Sequence, residues 1–290
     1  MLSKLETELK IRNYSPRTIK AYLIHNRKFL EFIKKSPEEI TTDDVKSYMA
    51  FLSDRVSARS RNLVLSSLAY FYSKVLKKNI LAREELERPK IGKKLPTVLS
   101  RDEIEKLISV PKNFKHRILI KMMYGSGLRV SECVKIKIED IDLQEKTGRV
   151  QGGKGNKDRN IYLSEDCIKD IQEFLATRKG SNPYLFNVGD HHICARQAQK
   201  IVQHSAREAG IKRRVFCHAL RSSYATHLLE DGTDIRVIQT LLGHEYLETT
   251  QIYTKVSTAQ LKKVKSPLDM LLYQKKNKEN PQYEDSGVTK

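Results

Sequence analysis

The 290 residues carry 54 Lys and Arg against 35 Asp and Glu, a formal net charge of +19. So large a basic excess points to a polyanionic partner, nucleic acid before an anionic membrane. A hydrophobic content of 39% excludes a wholly disordered chain, and no apolar stretch is long enough to span a bilayer.

The length suits two domains. The opening "MLSKLETELKIRN" is too charged for a secretory signal. Residues 1–87 read as all-helical. In "SPRTIKAYLIHNRKFLEFIKK", Ser15 is a candidate N-cap and Pro16 takes the first helical position. Ile19, Leu23, Phe29 and Ile33 fall near one face of that helix. "TTDDVKSYMAFLSD" repeats the pattern, with Thr41 or Thr42 as cap and acids in the first turn. "SARSRNLVLSSLAYFYSKVLKKN" predicts a third helix, apolar at Leu63, Leu68, Phe71 and Val75. A short helix is expected around "REELE". Prolines, a glycine and lysines then mark residues 88–96 as a basic linker.

The second domain, 97–265, opens with "SRDEIEKLI", where Ser100 and Glu103 form a capping box. "HRILIKMMYGSGLRVSECVKIKIEDID" predicts a helix, a glycine turn and a second helix. "TGRVQGGKGNKDRNIYLS" changes period: Val150, Ile161 and Leu163 suggest short strands around a glycine-rich hairpin turn. Helices resume after Ser164. The fold class is therefore mainly α, with a small β-sheet or hairpin in the second domain. Residues 266–290 hold a short apolar piece, "SPLDMLLY", and a tail too polar to build a core. The cysteines, Cys133, Cys167, Cys194 and Cys217, are spaced too widely for a zinc pattern and read as buried or half-buried thiols in a reducing cytosol.

Taken singly, a His-x-x-Arg pair or one of 13 tyrosines carries little information. In order, "YGSGLRVSE", "GKGNKDR", "HALRSSYATHLLEDG", "LLGH" and "TTQIYTKV" are distinctive. Together they closely resemble the tyrosine recombinases, also called lambda-type integrases, with the Xer-like branch nearest. The resemblance runs from residue 10 to about residue 258. It implies a two-domain DNA clamp, with an N-terminal SAM-like core-binding domain and a C-terminal catalytic domain. It also implies a catalytic set of Arg129, Lys154, His218, Arg221, His244 and Tyr253, with Glu132 in support. Ser222, where many relatives have histidine, Lys255 and Cys217 depart from the family's commonest form.

The chemistry fits those residue types. A tyrosine oxygen that attacks phosphorus keeps the strand as a phosphotyrosine ester, so the bond energy is retained for resealing. The phenol has an ordinary pKa of about 10 and needs a base or nearby cations. Two guanidinium forks, Arg129 and Arg221, suit the phosphate oxygens and make a metal unnecessary. Neither cofactor nor metal is expected. By resemblance Lys154 is the general acid for the departing 5′ oxygen, with Lys157 and Arg159 as nearby alternatives. His218 is the base or proton shuttle, and His244 donates to a non-bridging oxygen. His227 reads as structural.

The implied activity is site-specific recombination of double-stranded DNA through a 3′-phosphotyrosine intermediate, in the service of chromosome-dimer resolution. A homotetramer on paired sites is expected, along with a DNA translocase or second recombinase as partner, in the cytoplasm on the nucleoid and without membrane insertion. "SPLDMLLY" resembles a segment docked on a neighbour. A phage or transposon integrase, a type IB topoisomerase and a non-catalytic DNA-binding protein remain as alternatives. The last leaves six matched positions without a purpose.

Overall fold

A computed structural model describes residues 1–80, 88, 89, 92, 95–152 and 158–254. The chain divides into two compact units, Met1–Lys94 and Leu95–Lys290. The expected helix at "REELE", Lys154, and the segment 266–290 lie outside the described residues, as does part of the basic linker.

The first unit contains α1 (Leu2–Ile11), α2 (Pro16–Ile33), α3 (Thr42–Phe51) and α4 (Ala58–Tyr70). Each start has a local cause. The Ser15 hydroxyl accepts from the Thr18 N–H and Pro16 sets the first turn of α2. Thr41 caps α3, while Asp44 reaches back to the Thr41 N–H. Leu5, Leu9, Phe29, Val45, Leu68 and Phe71 are completely buried in one core. Each such side chain contributes about 1.5–3 kcal/mol. Two details differ from the sequence expectation. Leu63 is 43% exposed, and α4 instead buries Val64, Leu65 and Leu68. The helix also ends early, widening into a π-turn over Phe71–Val75. Adjacent Phe71 and Tyr72 are both buried there, an arrangement that a regular 100° step does not favour.

The second unit begins with α5 (Arg101–Ser109), α6 (Phe114–Gly125) and α7 (Val130–Cys133). Ser100 and Glu103 form the capping box of α5. The second helix expected from "GLRVSECVKIKIEDID" lasts only the single turn of α7, because Val134 and Ile136 are drawn into the core beyond it. Then come β1 (Ile141–Asp142), β2 (Thr147–Val150) and β3 (Arg159–Tyr162), an antiparallel sheet in the order β1-β2-β3. Val150 pairs with Arg159, and Gly148 with Ile161. The chain continues through α8 (Glu165–Thr177), β4 (Asn187–Val188), β5 (His191–His192) and α9 (Ala195–Glu208). The two-residue β4–β5 pairing was not expected from sequence. The unit's described part closes with α10 (Cys217–Glu230), α11 (Ile235–Leu242) and α12 (Leu247–Gln251).

Helix α10 runs through the middle of this unit, and ten of its residues are buried, which removes any amphipathic stripe. Its position is fixed by polar as well as apolar contacts. The Ser223 hydroxyl accepts from the Leu99 N–H at 2.8 Å. His227 is buried, and its Nδ1 lies 2.9 Å from the Tyr124 hydroxyl on α6. On the far side of α6, Asp170 of α8 takes Arg117 at 2.8 Å and the buried Lys121 at 2.6 Å. A separate apolar cluster, Ala225, Leu229, Ile238, Leu242 and Tyr253, fastens α11 and the end of α12 to α10. Cys133, Cys167 and Cys217 are buried free thiols, whereas Cys194, at the start of α9, is exposed.

Candidate active site

Arg221 is 1% exposed, so every part of its guanidinium must be satisfied from within. Nη1 donates to the Gly127 carbonyl at 2.5 Å, and Nη2 donates to the Leu242 carbonyl at 2.6 Å. Nη2 also donates to His244 Nε2 at 3.0 Å. Burial, then the nearby Arg129, pull its pKa down to about 10, which leaves it charged at neutral pH. Gly127 has φ +58°, and a Cβ there would lie 2.5 Å from the Tyr224 ring. Only glycine lets the "GSG" turn present that carbonyl.

Arg129 and Arg159 share one carboxylate. Glu132 accepts from Arg129 Nη1 at 2.8 Å and from the Arg129 N–H at 2.9 Å. It also accepts from Arg159 Nη1 at 3.1 Å and Nη2 at 2.7 Å. Burial alone would raise the Glu132 pKa, but the bonds from Arg159 and Arg129 outweigh it and hold the value at about 2. Arg129 reaches the Gly243 carbonyl at 3.4 Å as well. Gly243 ends α11 in the left-handed conformation, φ +61°, and a Cβ there would crowd Arg159 Cδ at 3.0 Å. Three arginines around one glutamate leave the cluster cationic.

His244 links this cluster to the tyrosine. Its Nδ1 lies 2.9 Å from Thr250 Oγ1, and its ring stacks on that of Tyr253 at 6.4 Å between centroids and 16° between planes. Burial, followed by Arg221 and Arg129, lowers its pKa to about 3. Tyr253 is 3% exposed. Burial raises its pKa, while Arg221, the neighbouring Ser222 hydroxyl and Arg129 pull the other way. The net direction is upward, so the phenol is protonated at neutral pH.

The expected residues are not all joined. Arg129, Arg221, His244 and Tyr253 form one connected group. His218 occupies α10 one turn before Arg221, exposed at the surface. Enough protein surrounds its ring for desolvation, then Arg221 and Arg129, to lower its pKa. It makes no hydrogen bond to Tyr253 among the described residues, and the histidine beside that phenol is His244. Lys154 lies outside the described residues. The base of its hairpin is closed by Asp158, which accepts from the Gly152 N–H at 2.9 Å and from Arg149 at 2.8 Å. Beside Arg129 a groove opens, lined by Ser131, Lys135, Lys137, Arg149, Gln151 and Tyr184. Among the described residues, no group of three or more His, Cys, Asp or Glu is arranged to hold a metal, and no helix is long and apolar enough to cross a membrane.

Residues 97–260 match the phage integrase family, and residues 1–81 match the phage integrase N-terminal SAM-like domain. The chain is 39% identical over 268 residues to the tyrosine recombinase XerA of Pyrococcus horikoshii, covering 90% of this chain and 91% of that protein. The chain belongs to the phage integrase family. It is a site-specific tyrosine recombinase, an enzyme that breaks and rejoins DNA strands. XerA of Pyrococcus furiosus is 40% identical over 279 residues, covering 93% of this chain and 94% of that one. The crystal structure of XerH site-specific recombinase bound to palindromic difH substrate, a post-cleavage complex, superposes with a TM-score of 0.71 at 26% identity. That match covers 90% of this chain and 83% of the other.

Within the recombinase, sequence reasoning passed over two contributors to the cluster. The motifs offer Arg159 only as an alternative to Lys154, yet it turns inward to Glu132. The signal was present: Arg159 precedes Ile161 by two, so strand alternation puts both on the buried face. Thr250 enters the sequence only within the "TTQIYTKV" motif, and it contacts His244 directly. A threonine between Thr249 and Gln251 gives no such sign in sequence.

Proposed function

We propose that this recombinase cuts DNA at specific sites with Tyr253 and resolves chromosome dimers. The observation that carries the reading is the connection from Arg221, through His244, to the Tyr253 ring, with Arg129 reaching the Gly243 carbonyl just before His244. Arg129 and Arg221 clamp the scissile phosphate, stabilising charge as it builds on the non-bridging oxygens. Tyr253 Oη attacks phosphorus, and the 5′ oxygen leaves. The result is a 3′-phosphotyrosine ester, and a 5′ hydroxyl of the partner strand later attacks it in reverse. His218 takes the phenolic proton or passes it on, Lys154 protonates the leaving oxygen, and His244 donates to a non-bridging oxygen. Because burial raises the Tyr253 pKa, the proton must be removed during attack rather than beforehand. The ring must also leave its apolar cluster to reach the phosphate.

The same reading assigns residues 1–87 to core binding, 88–96 to a basic linker, 97–265 to catalysis and 266–290 to a docking segment, "SPLDMLLY", followed by a polar tail. The working assembly is a homotetramer on two paired sites in the cytoplasm, on the nucleoid, with a DNA translocase or second recombinase as partner. The Xer relatives support dimer resolution over integration of a mobile element. Sequencing the DNA footprint of the purified protein identifies the site. A nicked suicide duplex built on that site, run on a denaturing gel, then tests the nucleophile. Tyr253→Phe should give no covalent protein–DNA band while retaining site binding. A band at wild-type yield from Tyr253→Phe rejects the assignment.

A further inference from the structure

The contact between His244 and Thr250 has a direction, and the neighbouring arginine decides it. A guanidinium has donors and no acceptor. The 3.0 Å contact is therefore Arg221 Nη2–H donating to His244 Nε2, which must hold a lone pair. In the neutral ring the hydrogen then sits on Nδ1, and Nδ1–H donates to Thr250 Oγ1 at 2.9 Å. The low pKa of His244, about 3, keeps the ring neutral in the free protein. The free protein thus holds His244 in a tautomer that has no donor at Nε2, the atom facing Arg221. The proposed role of His244 requires the opposite tautomer.

We propose that Thr250 is the positioning residue that lets His244 exchange its Nδ1–H form for its Nε2–H form when a phosphate displaces it from Arg221. The idea rests on the reading of His244 as a phosphate donor. Arg221 Nη2–H turns from His244 Nε2 to a non-bridging oxygen. The released ring takes up one proton from solvent at Nε2 and gives one up to solvent from Nδ1 before it reseats against Thr250, so its charge and proton count are unchanged. The Nδ1 lone pair left behind needs a donor. A hydroxyl both accepts and donates, and it changes role by rotating about one bond. Thr250 is 1% exposed, so no bulk water stands ready to do this instead. Valine at the same place fills the same volume but strands the Nδ1 lone pair, which disfavours the form needed for catalysis.

The placement adds a second consequence. The Thr250 carbonyl accepts from the Tyr253 N–H at 3.0 Å. One residue therefore contacts His244 through its side chain and the nucleophile's turn through its backbone. A phosphate that draws His244 to the reactive form reports its arrival to the segment bearing Tyr253.

Long-range proton–nitrogen NMR on protein labelled with nitrogen-15 at histidine, with His244 assigned by the loss of its signals in His244→Gln, reads the tautomer directly. The free wild-type protein should show Nδ1–H, and an Nε2–H form there overturns the proposal. Tyr253→Phe bound to an intact duplex carrying the footprinted site should show Nε2–H, and retention of Nδ1–H overturns it equally. In single-turnover cleavage of the suicide duplex, Thr250→Val should be slower by about tenfold to a hundredfold, the worth of one unmade buried hydrogen bond. Thr250→Ser should stay within about threefold of wild type, because serine keeps the rotating hydroxyl. Binding of the variants to a half-site should change by less than about twofold, since other groups position the DNA. Wild-type cleavage by Thr250→Val refutes the positioning role and leaves Tyr253 as nucleophile untouched. A covalent band from Tyr253→Phe would instead remove the reading beneath it.

Discussion

Replacing Glu132 by Gln removes one charge from a buried cluster that has three arginines and, among the described residues, no other carboxylate in its hydrogen-bonded core. The side chain is 6% exposed, so solvent screening is weak. Its pKa falls from the ordinary 4.5 to about 2. At about 1.4 kcal/mol per pH unit, that fall corresponds to about 3 kcal/mol of folded-state stabilisation. The same order is expected when one partner of a buried ion pair is deleted, about 3–5 kcal/mol. Glutamine keeps the volume, but its amide N–H₂ faces guanidinium donors, so part of the bonding is lost as well. For a unit of this size about 3 kcal/mol translates into a melting shift of about 6–12 °C. Differential scanning calorimetry at neutral pH and low salt measures it on the full chain. The sign is set by the depressed carboxyl. Its contribution is complete above about pH 4.5 and disappears as pH falls through about 2, so wild type and variant should converge in acid. Sulfate should raise the melting temperature of Glu132→Gln more than that of wild type, because the freed arginines can bind it. A variant within about 1 kcal/mol of wild type at pH 7 would refute the view that Glu132 neutralises these guanidinium groups.

Other expectations follow from single contacts. His244 falls to about 3 in the folded protein from an ordinary 6.5. The unfolded chain therefore binds the proton first, and this residue makes stability decline as pH drops below about 6.5. Urea titrations between pH 7 and pH 5 should show a shallower decline for His244→Gln, and equal slopes would contradict the buried neutral ring. Gly127→Ala forces a Cβ to within 2.5 Å of Tyr224 at a positive φ. It should lose about 2–5 kcal/mol of unfolding free energy, read as a lower urea midpoint, and depress cleavage by displacing the carbonyl that holds Arg221. An unchanged midpoint would refute this. Lys154→Ala should cleave slowly on normal DNA yet recover on a duplex with a 5′-bridging phosphorothiolate, whose sulfur leaves without protonation. Arg221→Ala should stay poor on both, and equal failure of the two variants on sulfur would remove the general-acid role.

Much of the fold was legible because local rules agreed with tertiary packing. Ser15, Pro16, Thr41 and Ser100 announced their helices, and those caps form. The hairpin was visible in the alternation of Val150 and Ile161 about a glycine-rich turn. The errors occurred where the core overrode periodicity. Leu63 fits an apolar stripe by spacing, yet α4 is rotated to bury Val64 and Leu65 instead. The helix after Arg129 stops at one turn because Ile136 is buried beyond it. In the candidate site, motif order names Arg129, His218, Arg221, His244 and Tyr253 by resemblance, but order says nothing about protonation. The tautomer of His244, the inward turn of Arg159 and the exposure of His218 depend on neighbours remote in sequence.

Arg221 is held mainly by main-chain oxygen, whereas Arg129 leans first on Glu132. Arg221 is fixed by the carbonyls of Gly127 and Leu242, and Arg129 extends to that of Gly243. Every amino acid has a carbonyl, so substitution at residue 242 leaves that acceptor in place while the chain path is kept. In evolutionary terms, the burden shifts from side-chain identity to the two turns with positive φ, at Gly127 and Gly243. Side chains around the cluster can then change while these turns keep Arg221 and its carbonyl partners in register.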